Sequence, residues 1–221
     1  LDPINVNSTT VLKFLAIDEA GNPSTIYVEN YNIDKNIPQA WANLKSGVYN
    51  ANKVVALTMS ETGTIYYTLN GSTPTTFSTK YTVPISISSS TNLKFLAVDD
   101  AGNPSQVYAA TYNIDKVAPK AVLTYPKHMA TNVSRTSTIY VKLSENLKSS
   151  VNWSKVYIKN LKTGKLVKIS VSISGNAIKI NTALRRSSYT WYSVYIPAAA
   201  VKDYAGNNLA NSCSFRFKTG K

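Results

Sequence analysis

The 221-residue chain has one cysteine, Cys213, and one histidine, His128. A single thiol cannot close a disulfide within the chain. One Cys with one His cannot supply the ligand set of a Cys/His zinc site. Cys213 shares strand parity with Phe215 and Phe217, which predicts a buried, inert thiol. His128 lies in the loop-like YPKHMATN and reads as solvated, not as a catalytic base. No stretch approaches the ~18 continuous apolar residues of a membrane helix, so no membrane insertion is expected of this fragment. An initiator Met and a signal peptide are both lacking, and the chain reads as a piece of a longer one. Acids are scarce as well, with 11 Asp and Glu against 24 Lys and Arg.

What is present is strand material. Tyr (15 residues), Thr, Ser, Val and Ile dominate, and 43% of residues are apolar. That apolar share is enough for globular cores and argues against disorder. No helix-period segment competes with the alternating pattern. Charge is uneven: residues 1–117 carry seven lysines and nine acids, a net −2, whereas residues 118–221 carry 17 cations and two acids, a net +15. Such a break indicates two kinds of module with different surfaces.

A repeat links 1–35 to 82–116 at a period of 81, with 21 identities in 35 positions. VLKFLAIDEAGNPS (11–24) matches NLKFLAVDDAGNPS (92–105), both copies end in YNIDK, and a proline, Pro38 or Pro119, follows each. The period exceeds the ~20–50 residues of solenoid repeats and fits one small β-domain per copy. Residues 1–37 are then the C-terminal half of a repeat, 38–117 a complete copy, and 118–221 a different, basic module. Strands are predicted at 54–60, 64–70, 78–87, 92–100 and 106–114, with turns at NGSTP and DAGNPS. Seven more are predicted in the last module, at a spacing that suggests a sandwich. The half copy should expose strand edges and apolar side chains, and is expected to be poorly ordered or paired with a neighbouring chain.

GVYNANKVVALTMS, TIYYTLNGSTPT and TNLKFLAVDDAGNPS resemble the Ig-like or fibronectin-type-III-like domain at the C-terminus of chitobiase and β-hexosaminidase, with Asn70 where that family often has Asp. The last module, above all IPAAAVKDYAGNNLA, resembles a bacterial Ig-like domain of S-layer and other surface proteins. The resemblance implies an all-β chain of tandem Ig-like sandwiches. It also implies an extracellular, cell-surface location, and a stalk or adhesin such as those of methanogenic archaea. Neither family implies catalysis or a cofactor. No nucleophile–base or carboxylate pair stands out from turn positions, so a non-enzyme is expected.

Several groups are candidates for function. DxAGN occurs at Asp18–Asn22, Asp99–Asn103 and Asp203–Asn207. Its Asp can bond turn N–H groups and its Gly supplies positive φ. Each turn offers fewer oxygens than calcium takes, so no metal is expected. Sequons at Asn7, Asn70, Asn132 and Asn152 are candidate glycan acceptors. Lys155, Lys159, Lys162, Lys165 and Lys168 surround a predicted hairpin, with Arg185 and Arg186 nearby. They read either as edge protection or as contacts to an anionic polymer such as cell-wall glycan; other surface proteins are further possible partners. Basic patches also bind phosphates, but no nucleic-acid fold signature accompanies this one, so nucleic acid is not expected. Tyr157, Tyr189, Trp191, Tyr192 and Tyr195 put aromatics in the same module. Of these, Tyr192 shares a face with Val194 and Ile196, and Trp191 shares the other with Tyr195; core or cross-strand pairing is the favoured reading. Ig-like surface domains also form Lys–Asn or Lys–Asp amide crosslinks, which need a desolvated Lys and a protonated acid. The candidates are Lys94, Lys142, Glu145 and Asp203.

Overall fold

The computed structural model describes residues 2–221. It is all-β, a tandem of Ig-like β-sandwiches. Contacts divide the chain into two compact units. The first holds the residues up to Ser46, Val54–Ile87 and Thr91–Tyr112; the second holds Gly47–Lys53, Ser88–Ser90 and Asn113–Lys221.

The first eleven strands are β1 (Thr10–Phe14), β2 (Tyr27–Tyr31), β3 (Ala40–Ala42), β4 (Gly47–Tyr49), β5 (Lys53–Val55), β6 (Leu57–Met59), β7 (Gly63–Thr68), β8 (Thr79–Lys80), β9 (Ile85–Ile87), β10 (Thr91–Asp99) and β11 (Tyr108–Ile114). In the first unit β10 lies between β7 and β11, β8 flanks β7, β3 pairs with β6 and β5 with β9. The predicted strand 54–60 is broken at Ala56. There Asn43 Oδ1 accepts the Ala56 N–H and the Asn43 N–H donates to Ala56 O. This side-chain bridge satisfies backbone groups that leave one ladder before joining another. Val55, Leu57, Ile65, Ile87, Leu93, Phe95 and Tyr112 fill the core, and the Tyr112 hydroxyl donates to Leu44 O at 2.9 Å.

The half copy forms a regular antiparallel hairpin of β1 and β2. Its register runs Thr10↔Tyr31 to Phe14↔Tyr27, matching Thr91↔Tyr112 to Phe95↔Tyr108 in the complete copy. Burial differs sharply. Phe14 and Tyr31 are 47% and 40% exposed, whereas Phe95 and Tyr112 are 2% and 0%. The reason is partnership: β10 has β7 on its second edge, while β1 and β2 form a sheet of two. Ring stacking at 5.4 Å joins Phe14 to Tyr27.

The second unit adds β12 (Ala121–Tyr125), β13 (Ile139–Leu143), β14 (Lys148–Ser149), β15 (Tyr157–Asn160), β16 (Ile169–Ser174), β17 (Ala177–Thr182), β18 (Trp191–Ile196), β19 (Val201–Lys202) and β20 (Cys213–Lys218), with a single 3₁₀ turn at Trp153–Lys155. One sheet runs β12-β13-β17-β16 and the other β15-β18-β20, with β14 paired to β19. Alternation sends Ile139, Val141, Ile178 and Ile180 inward from the first sheet, and Ile158, Tyr192, Val194, Phe215 and Phe217 inward from the second. Such period-2 burial is what a sandwich with one face solvated requires. Cys213 is half-buried against this core, and burial pushes its thiol up. His128 is exposed.

Candidate functional site

The three DxAGN segments are built alike. Asp18, Asp99 and Asp203 each accept the N–H of the Asn four residues on, at 2.7–2.8 Å, and that Asn's side-chain amide at 2.7–3.0 Å. The glycines between them sit at φ +86°, +91° and +103°, a region where any side chain would be strained. The amide and N–H bonds of Asn22 and Asn103 hold Asp18 and Asp99 below the ordinary carboxylate range; for Asp99 burial opposes the shift. These are turns that order themselves.

Two of them join a larger cluster. Carboxylate oxygens of Asp34, Glu61 and Asp99 lie within 4.8 Å of one another, and so do those of Asp115, Glu145 and Asp203. Asn103 Nδ2 also donates to Asp34 O at 3.1 Å, and Asn207 Nδ2 to Asp115 O at 2.8 Å. Asp34 and Asp115 are the YNIDK aspartates, one period apart, and each accepts the N–H two residues on at 2.9 Å. Gly63 stands opposite Asp99 in the β7–β10 register. A Cβ there would collide with the Val98 and Asp99 backbone, so only glycine fits opposite Asp99. Burial, then the charges of Asp203 and Asp115, push the Glu145 carboxyl up. Each trio gathers three carboxylates, the hard oxygen donors that calcium takes, where a single turn offers one or two. Sequence reading found the turns and missed Asp34, Glu61 and Asp115. The signal was the repeated YNIDK aspartate.

The candidate residues divide in space. Lys155, Lys159, Lys162, Lys165, Lys168 and Arg185 are exposed. Arg186 is not: it is 2% exposed, which corrects its place in the surface patch. Its Nη2 donates to Ser134 O and Ser137 O at 2.7 and 2.8 Å, and its guanidinium lies 5.6 Å from the centre of the Phe217 ring. Burial pushes this guanidinium below its usual value. Arg186 ties a loop to the core and cannot touch a polymer.

Of the crosslink candidates, Glu145 and Asp203 come together, but the groups acting on Glu145 are carboxylates and Ser144. Lys142 is exposed on β13 and Lys94 half-buried on β10, so neither is the desolvated amine the chemistry needs. Among the sequons, Asn7, Asn70 and Asn132 are exposed. The half-buried Asn152 is committed elsewhere: its Nδ2, the atom a glycan would take, donates to Ala198 O at 2.8 Å.

The aromatics split as parity predicts. Tyr192 packs on Phe217 at 5.8 Å in the core, and Tyr157 pairs with Tyr195 at 5.2 Å on the outer face.

Residues 44–109 match the model of the chitobiase/β-hexosaminidase C-terminal domain, and residues 115–219 that of a bacterial Ig-like domain. No curated protein matches. Among solved structures, the chain is similar to Rst D1-D2 (10% identity, 81% of this chain and 99% of that one, TM-score 0.44). It is also similar to a chimeric titin Z1Z2 carrying a KLER peptide from decorin (11% identity, 82% and 95%, TM-score 0.33).

Proposed function

We propose that the chain is a non-enzymatic extracellular module of a cell-surface protein, acting as a stalk or adhesin. Both matched domain types suit that setting, and the methanogen surface implied by the resemblance belongs to this proposal. The observation that carries it is structural: in both domain types the acids that sequence alone would offer for chemistry are tied into turns and trios. The reading needs no crosslink, since Lys142 is exposed. Antibodies against the chain should label intact cells of the source organism. Labelling only after permeabilisation would overturn the surface placement.

A second reading has its own observation. Residues 118–221 carry 17 cations, and the two acids among them, Glu145 and Asp203, are gathered into one trio. The basic sandwich therefore presents an almost purely cationic surface, suited to cell-wall or other anionic polymer. Retention on isolated cell-wall polymer at low salt, released at high salt, is the expected result. No retention at any salt would leave the spacer role alone.

A further inference from the structure

The outer face of the β15-β18-β20 sheet gathers residues that the sequence scatters over 62 positions, from 157 to 218. Register places Lys159 beside Ser193 and Ser193 beside Arg216. Tyr157 faces Tyr195, and Trp191 faces Lys218. Their inward neighbours Ile158, Val194, Phe215 and Phe217 are core, so this set points out. Trp191, Tyr157 and Tyr195 are half-buried, while Lys159 and Arg216 are exposed. Tyr157 and Tyr195 turn their rings toward each other at 5.2 Å, and Trp191 stands among the cations. Strand spacing puts Lys159 and Arg216 about 10 Å apart across the sheet, and Trp191 and Tyr195 about 13 Å apart along β18.

Arg216 is held in place by neutral neighbours. Its guanidinium lies 5.9 Å from the Trp191 ring centre, and its Nε donates to Met129 Sδ at 3.0 Å. A cation fixed by a ring and a thioether keeps its charge available. With both acids of the module gathered in the trio, a bound anion meets no carboxylate on this face.

We infer that this face binds an acidic polysaccharide, with Trp191 against the apolar face of a sugar and Lys159, Arg216 and Lys218 on the anionic groups beside it. The hydroxyls of Ser193 and Ser214, on the same face, match a polyol. Nucleic acid fits less well, because base stacking takes free ring faces and Tyr157 and Tyr195 already turn theirs toward each other. The inference rests on the second reading above and gives it a location. The lysines of the 162–168 turn, which sequence alone favours, contribute only a general field.

The test uses the full chain and polygalacturonate, with neutral dextran and a single-stranded RNA oligonucleotide as comparisons. Trp191→Leu keeps the charge, and should weaken polygalacturonate about fivefold, the loss of one ring contact. Lys159→Gln with Arg216→Gln should weaken binding and flatten its salt dependence. Lys162→Gln with Lys165→Gln, of equal charge change, should weaken it less. Thermal melts of each variant separate loss of the face from loss of the fold. If every variant that folds binds like the parent, the basic module still holds polymer but this face does not. If the parent ignores polygalacturonate even at low salt, the second reading falls with it. Tighter binding of RNA than of polygalacturonate would overturn the glycan assignment.

Discussion

The internal repeat supplies a paired experiment in which one residue type occupies the same register position twice with different surroundings. Phe14 and Phe95 stand at the same position of the repeat, each opposite a tyrosine, yet they are 47% and 2% exposed. Truncating a buried Phe to Ala costs about 3–5 kcal/mol, counting both lost transfer energy and the cavity. Phe95→Ala should therefore remove a large share of a stability of about 5–15 kcal/mol. At about 4–8 °C per kcal/mol for a domain this size, the melting transition falls by about 12–40 °C. For Phe14 about half the ring is already in water, and what is lost is its stacking on Tyr27. That contact is worth about 1 kcal/mol, and should lower the main transition by no more than about 8 °C. Differential scanning calorimetry of the two variants beside the parent measures both values. Comparable losses from Phe14→Ala and Phe95→Ala would refute the reasoning, because they would mean that the β1–β2 hairpin buries its face in solution as β10 and β11 do.

Glu145 is the carboxyl whose native environment raises its pKa, by burial and by Asp203 and Asp115. The folded state then holds its proton more tightly than the unfolded state, so stability falls as pH rises out of the ordinary carboxylate range. Glu145→Gln should raise the melting temperature at pH 7, and the gain should vanish as pH falls below that range; a gain unchanged by pH would contradict the assignment. Asp18 and Asp99 carry the opposite sign, and their contribution is present at neutral pH and lost on acidification. Arg186→Ala strips donors from Ser134 O and Ser137 O and should cost about 2–4 kcal/mol in a urea melt. Arg186→Met keeps the stem against Phe217 and should cost less. The intact mass of the denatured chain should equal the sequence mass, since Lys142 is exposed and Lys94 only half-buried; a deficit of one ammonia or water would show a crosslink and reverse that reading.

Much of this was legible in the residues. Period-2 alternation marked the strands of both modules, because a sandwich buries one face of each strand. The DxAGN turns were readable too, since an Asp acceptor and a positive-φ Gly act within five residues. β3 and β4 were not, being three residues each, too short for an alternating pattern to declare itself. The break at Ala56 depends on Asn43, a partner outside the predicted strand.

Local chemistry, then, was determined by sequence alone: strand character, self-bonded turns, the charge contrast between modules, and the repeat. Tertiary structure decided everything that depends on which distant segment arrives beside which. It turned Arg186 inward while Arg185 stayed outside, though the two are neighbours in the chain. It brought Asp115, Glu145 and Asp203 within 4.8 Å, where their like charges act on one another. It buried Phe95 and left Phe14 in water, because burial belongs to the neighbouring strand and not to the residue. On β18 it set Trp191 and Tyr195 between the cations of β15 and β20, a juxtaposition that no spacing along the chain reveals.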